Sequence, residues 1–198
     1  MFNRFLIEVV MGLSRFFFLS TILSVFLSAC SGFPGEKSIK ADVSIAEPDR
    51  IRFSGKGAGA GLMLSSSMGA MGIAIGVAID EGIAKEIDAS AVKAGFSAKD
   101  EVLSALSQTS IGYVSGFSLI VKKYGFTLEP GSDDQMYAYW SLETNFDDGG
   151  RSCEWLSDRA ASTISLDKSK AEADEVKQAL KLELQALLVK VDQASGRC

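Results

Sequence analysis

The sequence predicts an α+β fold, in which a small antiparallel β-meander is covered by a C-terminal amphipathic helix. An inserted Gly/Ala-rich apolar helical segment precedes this core. Three observations carry the prediction: strict alternation of side chains over residues 136–146, apolar residues recurring every three or four positions over residues 167–194, and a segment from Gly57 to Ile79 without any charged residue.

The N-terminal region has the order of a secretory signal. Basic Arg15 is followed by an apolar run over residues 16–26 and then by small residues that end at Cys30. The four residues Leu27-Ser28-Ala29-Cys30 resemble the lipobox of bacterial lipoproteins. The resemblance implies diacylation of the Cys30 thiol, cleavage before it and acylation of the new amino terminus.

This resemblance also implies a cellular location. Residues 1–29 are then the signal peptide. The basic and apolar pattern after Met11 is more typical of a signal peptide than the pattern after Met1, so we expect translation to begin at Met11. Serine rather than aspartate after the cysteine implies export to the outer membrane, with the domain facing the periplasm. Residues 30–47 are polar with early Gly and Pro, which predicts a flexible tether.

Composition excludes several classes of function. The net charge is −5 and no cluster of Lys and Arg is present, which argues against nucleic-acid binding. The histidine count is zero, so Ser-His-Asp triads, Cys-His pairs and histidine metal sites are excluded. With Cys30 assigned to lipid, Cys153 and Cys198 remain as a possible disulfide in a compartment that permits one. Two free thiols or an intermolecular bridge are the alternatives.

Residues 48–96 combine a short predicted strand near residues 48–53 with the uncharged segment, whose small residues recur at three- and four-residue steps. This spacing resembles the glycine-zipper segments of outer-membrane lipoproteins and membrane-active proteins, and it would let another backbone approach closely. Three interpretations stay open: a helix or helical hairpin that packs on the domain itself or on a second copy, membrane association, or a mobile loop. The candidate contact residues are Gly57, Gly61, Ser65, Gly69, Gly72 and Gly76.

The α+β domain over residues 97–198 follows. Ser97 and Asp100 predict the start of a helix over residues 98–108. Residues 117–121 and 124–128 favour strands, with one helix through residues 109–124 as the rival. Residues 136–146 give the clearest strand, and a return strand is expected over residues 151–156.

The favoured function is non-enzymatic: an outer-membrane-anchored structural or accessory subunit of an envelope assembly, with residues 57–79 as its contact segment. The paired acids lie beside turn residues and lack the spacing of a calcium loop, and a catalytic pair would need carboxylates from separate turns to come together, so we expect no catalytic residue, metal or cofactor. The expected partners are the membrane, through acyl chains on Cys30, and an envelope protein or a second copy. The alternative is a periplasmic ligand-binding or shielding protein that uses the aromatic face of the sheet, Tyr137 and Tyr139 with Tyr113.

Overall fold

The computed structural model describes residues 38–147 and 152–194, which form a six-stranded, mostly antiparallel sheet with helices. The strands are β1 (Asp42–Ile45), β2 (Arg52–Ser54), β3 (Phe117–Leu128), β4 (Gln135–Phe146), β5 (Cys153–Leu156) and β6 (Thr163–Ser165). The helices are α1 (Lys56–Met68), α2 (Ala70–Lys93), α3 (Ala98–Leu106), α4 (Leu166–Ala171) and α5 (Ala173–Gln193), and a 3₁₀ turn spans Ile111–Tyr113.

Two long strands form the centre of the sheet. β3 and β4 pair antiparallel from Phe117 opposite Phe146 to Leu128 opposite Met136. Each outer flank holds two short strands in place of one long strand. Strands β1 and β2 both pair with β3 in a parallel direction, whereas β5 and β6 both pair with β4 in an antiparallel direction. The consecutive strands β3, β4 and β5 therefore make an antiparallel meander with two parallel strands added at its edge.

The core lies between one face of this sheet and the helices. α5 packs on β4, and α3 packs on α5 and β1. Trp140 is fully buried, donates from its indole Nε1 to the carbonyl oxygen of Leu180 at 2.8 Å, and stacks on Tyr124 with ring centroids 4.9 Å apart. The Tyr124 hydroxyl donates to Asp49 at 2.7 Å, and burial together with this bond raises the Tyr124 pKa well above its usual value. The aromatic pair thus joins both long strands to the helical layer.

Several predicted elements are confirmed. The alternating segment is β4, and the helix expected over residues 98–108 is α3, which ends at Leu106. Ser97 caps α3, since its hydroxyl accepts the backbone N–H of Asp100 at 3.4 Å. The strand interpretation holds for residues 117–128, where the two expected strands form one strand, β3.

Other elements differ from the sequence prediction. Residues 42–45, placed in the tether of residues 30–47, form β1, because Val43 is buried beside β3. The short strand expected near residues 48–53 is β2, shifted to Arg52–Ser54. The C-terminal helical region is two helices, since Glu172 has an extended backbone (φ −115°, ψ 87°) between α4 and α5.

Candidate contact site: the glycine hairpin

Helices α1 and α2 form a helical hairpin, called here the glycine hairpin (residues 56–80). The two helices meet at Gly69, whose φ of 59° lies in the left-handed region that favours glycine. The N–H of Gly69 donates to the carbonyl oxygen of Ser65 at 2.9 Å, and its own carbonyl accepts the N–H of Gly72 at 3.0 Å. These bonds close the turn and send α2 back along α1.

The two helices touch through their backbones. A Cβ atom added to Gly57 would lie 1.8 Å from the carbonyl oxygen of Gly76, and one added to Gly76 would lie 2.3 Å from that of Gly57. A Cβ on Gly72 would lie 2.4 Å from the backbone nitrogen of Ser65. Real Cβ atoms do not come this close to another backbone, so only glycine permits this packing at these three positions.

The structure brings most of the predicted contact residues together, inside the hairpin. Gly57, Gly61, Gly72 and Gly76 are buried between α1 and α2. Ser65 faces Gly72 through its backbone, and Gly69 is exposed at the turn. The hairpin thus packs on itself, and its own two helices already occupy the close-approach surface that the spacing indicates.

The large side chains of the glycine hairpin point outward. Met63 is 80 % exposed and Leu62 is 71 % exposed. A helix pair that is apolar on its outside is typical of an element buried in a larger structure or in a membrane. The other exposed large apolar residues of the hairpin are Met68, Met71, Ile73, Val77 and Ile79.

Three serines near the turn use their hydroxyl donors within α1. Ser65 and Ser66 each donate to the carbonyl oxygen three residues earlier at 2.7 Å, and Ser67 does so at 3.2 Å. A donor satisfied in this way costs less to remove from water. The serines therefore fit the apolar character of the surrounding surface.

Charge appears at the base of the hairpin. The Asp80 carboxylate accepts the backbone N–H groups of Gly55 at 3.1 Å and Gly57 at 2.6 Å, which satisfies orphan donors at the start of α1. The next residue, Glu81, forms an ion pair with Arg50 at 2.9 Å. Beyond this point α2 turns apolar side chains such as Ile87 into the domain core. Asp80 therefore marks the border between the exposed hairpin and the domain.

One side of the hairpin carries an apolar groove of about 400 Å³. Its lining residues include Gly57, Gly61 and Gly76, the aliphatic Leu62, Ile73 and Val77, and Asp80. The three glycines already contact the backbone of the facing helix, so the open surface of the groove is mainly that of its aliphatic side chains.

The remaining predicted site residues do not join the hairpin. Cys153 is buried on β5, and its predicted partner Cys198 lies outside the described residues, as does Cys30, so the disulfide and the lipidation stay predictions. Tyr113 lies in the 3₁₀ turn rather than on the sheet, and its hydroxyl donates to the carbonyl oxygen of Ser107 at 2.9 Å; Tyr137 on β4 donates to Glu129 at 2.6 Å. The bond to Glu129 is the main cause that raises the pKa of Tyr137.

Residues 38–147 and 152–194 contain neither a metal-binding cluster nor a membrane-spanning helix. No group of three or more His, Cys, Asp or Glu side chains in these ranges could hold a metal ion. No helix in the same ranges has the length and apolar character needed to cross a membrane. Comparison with known proteins finds no matching family model, no matching curated protein and no matching solved structure.

Proposed function

We propose that this chain is a lipid-anchored protein of the bacterial outer membrane, a non-enzymatic accessory subunit that docks to an envelope assembly through the outside of the glycine hairpin. An α+β domain, with its C-terminal helix over a small meander, carries the hairpin. The observation that carries the proposal is the exposure of large apolar side chains, such as Leu62, Met63 and Ile73, on a segment without charge.

Removing the exposed apolar side chains of the hairpin from water is favourable. Burying one such side chain is worth about 1.5–3 kcal/mol. The hairpin cannot recover this by folding together more tightly, because its helices already touch backbone to backbone at Gly57 and Gly76. Covering its outer side chains requires another apolar surface, and this makes the hairpin a contact element.

We take that surface to be the apolar helices of a membrane-associated protein. The groove offers such helices the exposed aliphatic side chains of Leu62, Ile73 and Val77, since its glycines are already packed against each other. α1 is about 20 Å long at roughly 1.5 Å per residue, against a hydrocarbon core of roughly 30 Å. A helix of that length supports docking to a partner better than spanning.

The lipobox resemblance supports the location. More than one acyl chain on Cys30 would anchor the protein stably without the hairpin. The hairpin then has no anchoring task, which favours its use for contact. The non-enzymatic part of the proposal is supported by the absence of histidine and of any nucleophile-plus-base motif in the sequence.

The test is photo-crosslinking in intact cells of the source bacterium. A photo-reactive amino acid at Leu62 or Ile73 is expected to give a discrete crosslinked protein band. The same probe at Leu182, an exposed leucine on α5, is the matched control and is expected to give none. Val77→Asp, which puts a charge at the side of the groove, is expected to remove the band from the Leu62 probe.

Three results would contradict the docking proposal. A band of twice the chain's mass would assign the hairpin to self-association, and labelling of lipid alone would assign it to the membrane. Equal crosslinking from Leu182 would show that the hairpin is not selective. The anchor is tested separately: Cys30→Ser is expected to abolish incorporation of a labelled fatty acid, and retention of the label would disprove lipidation at Cys30.

A further inference from the structure

The open face of the sheet carries two neighbouring lysines because of a bulge. The pairing of β3 with β4 shifts register between Val121 and Lys123, so that consecutive residues Lys122 and Lys123 are both exposed. The two lysines have different surroundings. Lys122 forms an ion pair with Glu143 at 2.8 Å, whereas Lys123 lines a cavity beside Tyr139.

Arg52 joins Lys123 at this cavity. Arg52 on β2, Gly125 on β3 and Tyr139 on β4 lie in one row across the sheet. A Cβ on Gly125 would lie 1.9 Å from the carbonyl oxygen of Arg52, so only glycine fits at this position of the middle strand, β3. Residues in register on neighbouring strands point to the same face, and Gly125 puts no side chain between Arg52 and Tyr139.

The cavity holds about 240 Å³ and keeps an excess of positive charge. Arg50 and Glu81 also line it, but they neutralise each other in their ion pair. Within the described part of the chain, Arg52 and Lys123 have no ion-pair partner, and the Tyr139 hydroxyl has no hydrogen-bond partner. Two cations and one hydroxyl therefore remain available to a ligand.

A third cation adds to the field at the phenol. Burial raises the pKa of Tyr139, while the positive charges of Arg52 and Arg159 lower it. Arg159 is held in the left-handed region at φ 60° by Glu183, a carboxylate only 1 % exposed. This carboxylate accepts the N–H of Arg159 at 2.8 Å and that of Ala161 at 3.0 Å. A buried acid on α5 thus fixes a basic residue near the open face of a protein whose net charge is −5.

We propose that this cavity is a binding site for a phosphate group, held by the side chains of Arg52 and Lys123 and by the Tyr139 hydroxyl. Arginine and lysine bind phosphate oxygens through charge-assisted hydrogen bonds, and a phenol can donate one more. The volume suits a single phosphate with a small substituent. The site uses the open sheet face and needs neither the Cys30 anchor nor the outer surface of the glycine hairpin, so it stands apart from the docking proposal.

The test is isothermal titration calorimetry on the full chain, kept in an alkyl maltoside detergent that carries no phosphate. The probes are inorganic phosphate and glycerophosphoethanolamine, a deacylated phospholipid headgroup. Saturable binding of either one is expected. Preference for inorganic phosphate identifies a free phosphate ligand, and preference for the diester identifies a lipid headgroup.

The matched pair of variants is Lys123→Gln and Lys122→Gln, which remove the same charge from adjacent positions. Lys123→Gln is expected to weaken binding about tenfold or more, and Tyr139→Phe several-fold, whereas Lys122→Gln leaves the affinity unchanged. Thermal unfolding of each variant confirms that it folds. Absence of saturable binding for both probes, or equal losses in the two lysine variants, would overturn the proposal.

Discussion

The glycine hairpin and the sheet core are packed in opposite ways. In the core, large side chains such as Trp140, Phe126 and Leu184 fill the space between β3, β4 and α5. In the hairpin, side chains are absent from the contact, and Gly57 meets Gly76 backbone to backbone. The core therefore buries its apolar side chains, whereas the hairpin leaves its large apolar side chains exposed.

This difference predicts unequal stability within one domain. Removal of apolar area from water is the main favourable term in folding, and the hairpin removes little of it. Regions with few buried apolar contacts open locally at lower free energy than the core does. The four changes below test this comparison, from the largest expected effect to the smallest.

The core is best broken at Trp140. Trp140→Ala removes a fully buried ring, the stack on Tyr124 and the bond to the carbonyl of Leu180, and we expect it to lower the free energy of unfolding by about 3–5 kcal/mol. Trp140→Phe, which keeps most of the volume, should cost clearly less. Urea unfolding followed by circular dichroism measures both. Equal, small effects would mean that the ring is not part of the packed core.

The hairpin is best broken at Gly76. Gly76→Ala places a methyl group 2.3 Å from the carbonyl oxygen of Gly57, and we expect the helices to separate at a cost of about 1–3 kcal/mol. Hydrogen exchange should become faster over residues 57–79 and stay unchanged in β3 and β4. Gly59→Ala is the control: open space surrounds Gly59, so alanine should stabilise α1 by about 0.5–1 kcal/mol. Identical behaviour of both variants would refute backbone packing.

The border between the glycine hairpin and the rest of the domain is tested at Asp80. Asp80→Asn removes the negative charge that accepts two N–H groups at the start of α1, and we expect a loss of about 0.5–2 kcal/mol, seen as faster exchange in α1. The neighbouring change Glu81→Gln breaks a partly exposed ion pair with Arg50 and should cost at most about 1 kcal/mol. A larger effect from Glu81→Gln would place the critical contact at the ion pair.

The smallest effect is expected on the open face. The hydrogen bond from Lys122 holds the pKa of Glu143 below its usual value, so the folded protein favours the ionised carboxylate. The resulting stabilisation is present above the unfolded-state pKa and is lost as pH falls through the folded pKa. Glu143→Gln should therefore be slightly less stable than the parent at pH 7 and equal to it in strong acid. If the stability difference between Glu143→Gln and the parent grew as pH fell, the prediction would be wrong.

Local sequence patterns were enough to predict those helices and strands that a segment determines by itself. The alternation over residues 136–146 predicted β4, and Ser97 with Asp100 predicted the start of α3. The strands at the edge were harder. β1 is short, and its pairing with β3 depends on residues about 75 positions away in the chain, which no local pattern contains.

The site was predicted in part. The three- and four-residue spacing identified the glycines that touch, but spacing alone does not say whether the second backbone belongs to the same chain. Nothing in the sequence sets Gly69, where the turn lies, apart from the glycines that lie inside α1 and α2. The phosphate site had no comparable signal, since a bulge, a strand register and a buried Glu183 bring its residues together.

The inclusion of residues 42–45 in the sheet limits how far the protein can reach. If Cys30 carries the acyl chains, residues 31–41 are all that connect the membrane to β1, at most about 40 Å of fully extended chain at roughly 3.3–3.6 Å per residue. A tether running to residue 47 would have allowed about 60 Å. If Cys30 is the anchor, the strand shortens the tether, and any partner of the glycine hairpin would lie no farther from the membrane than the reach of residues 31–41 plus the length of the domain.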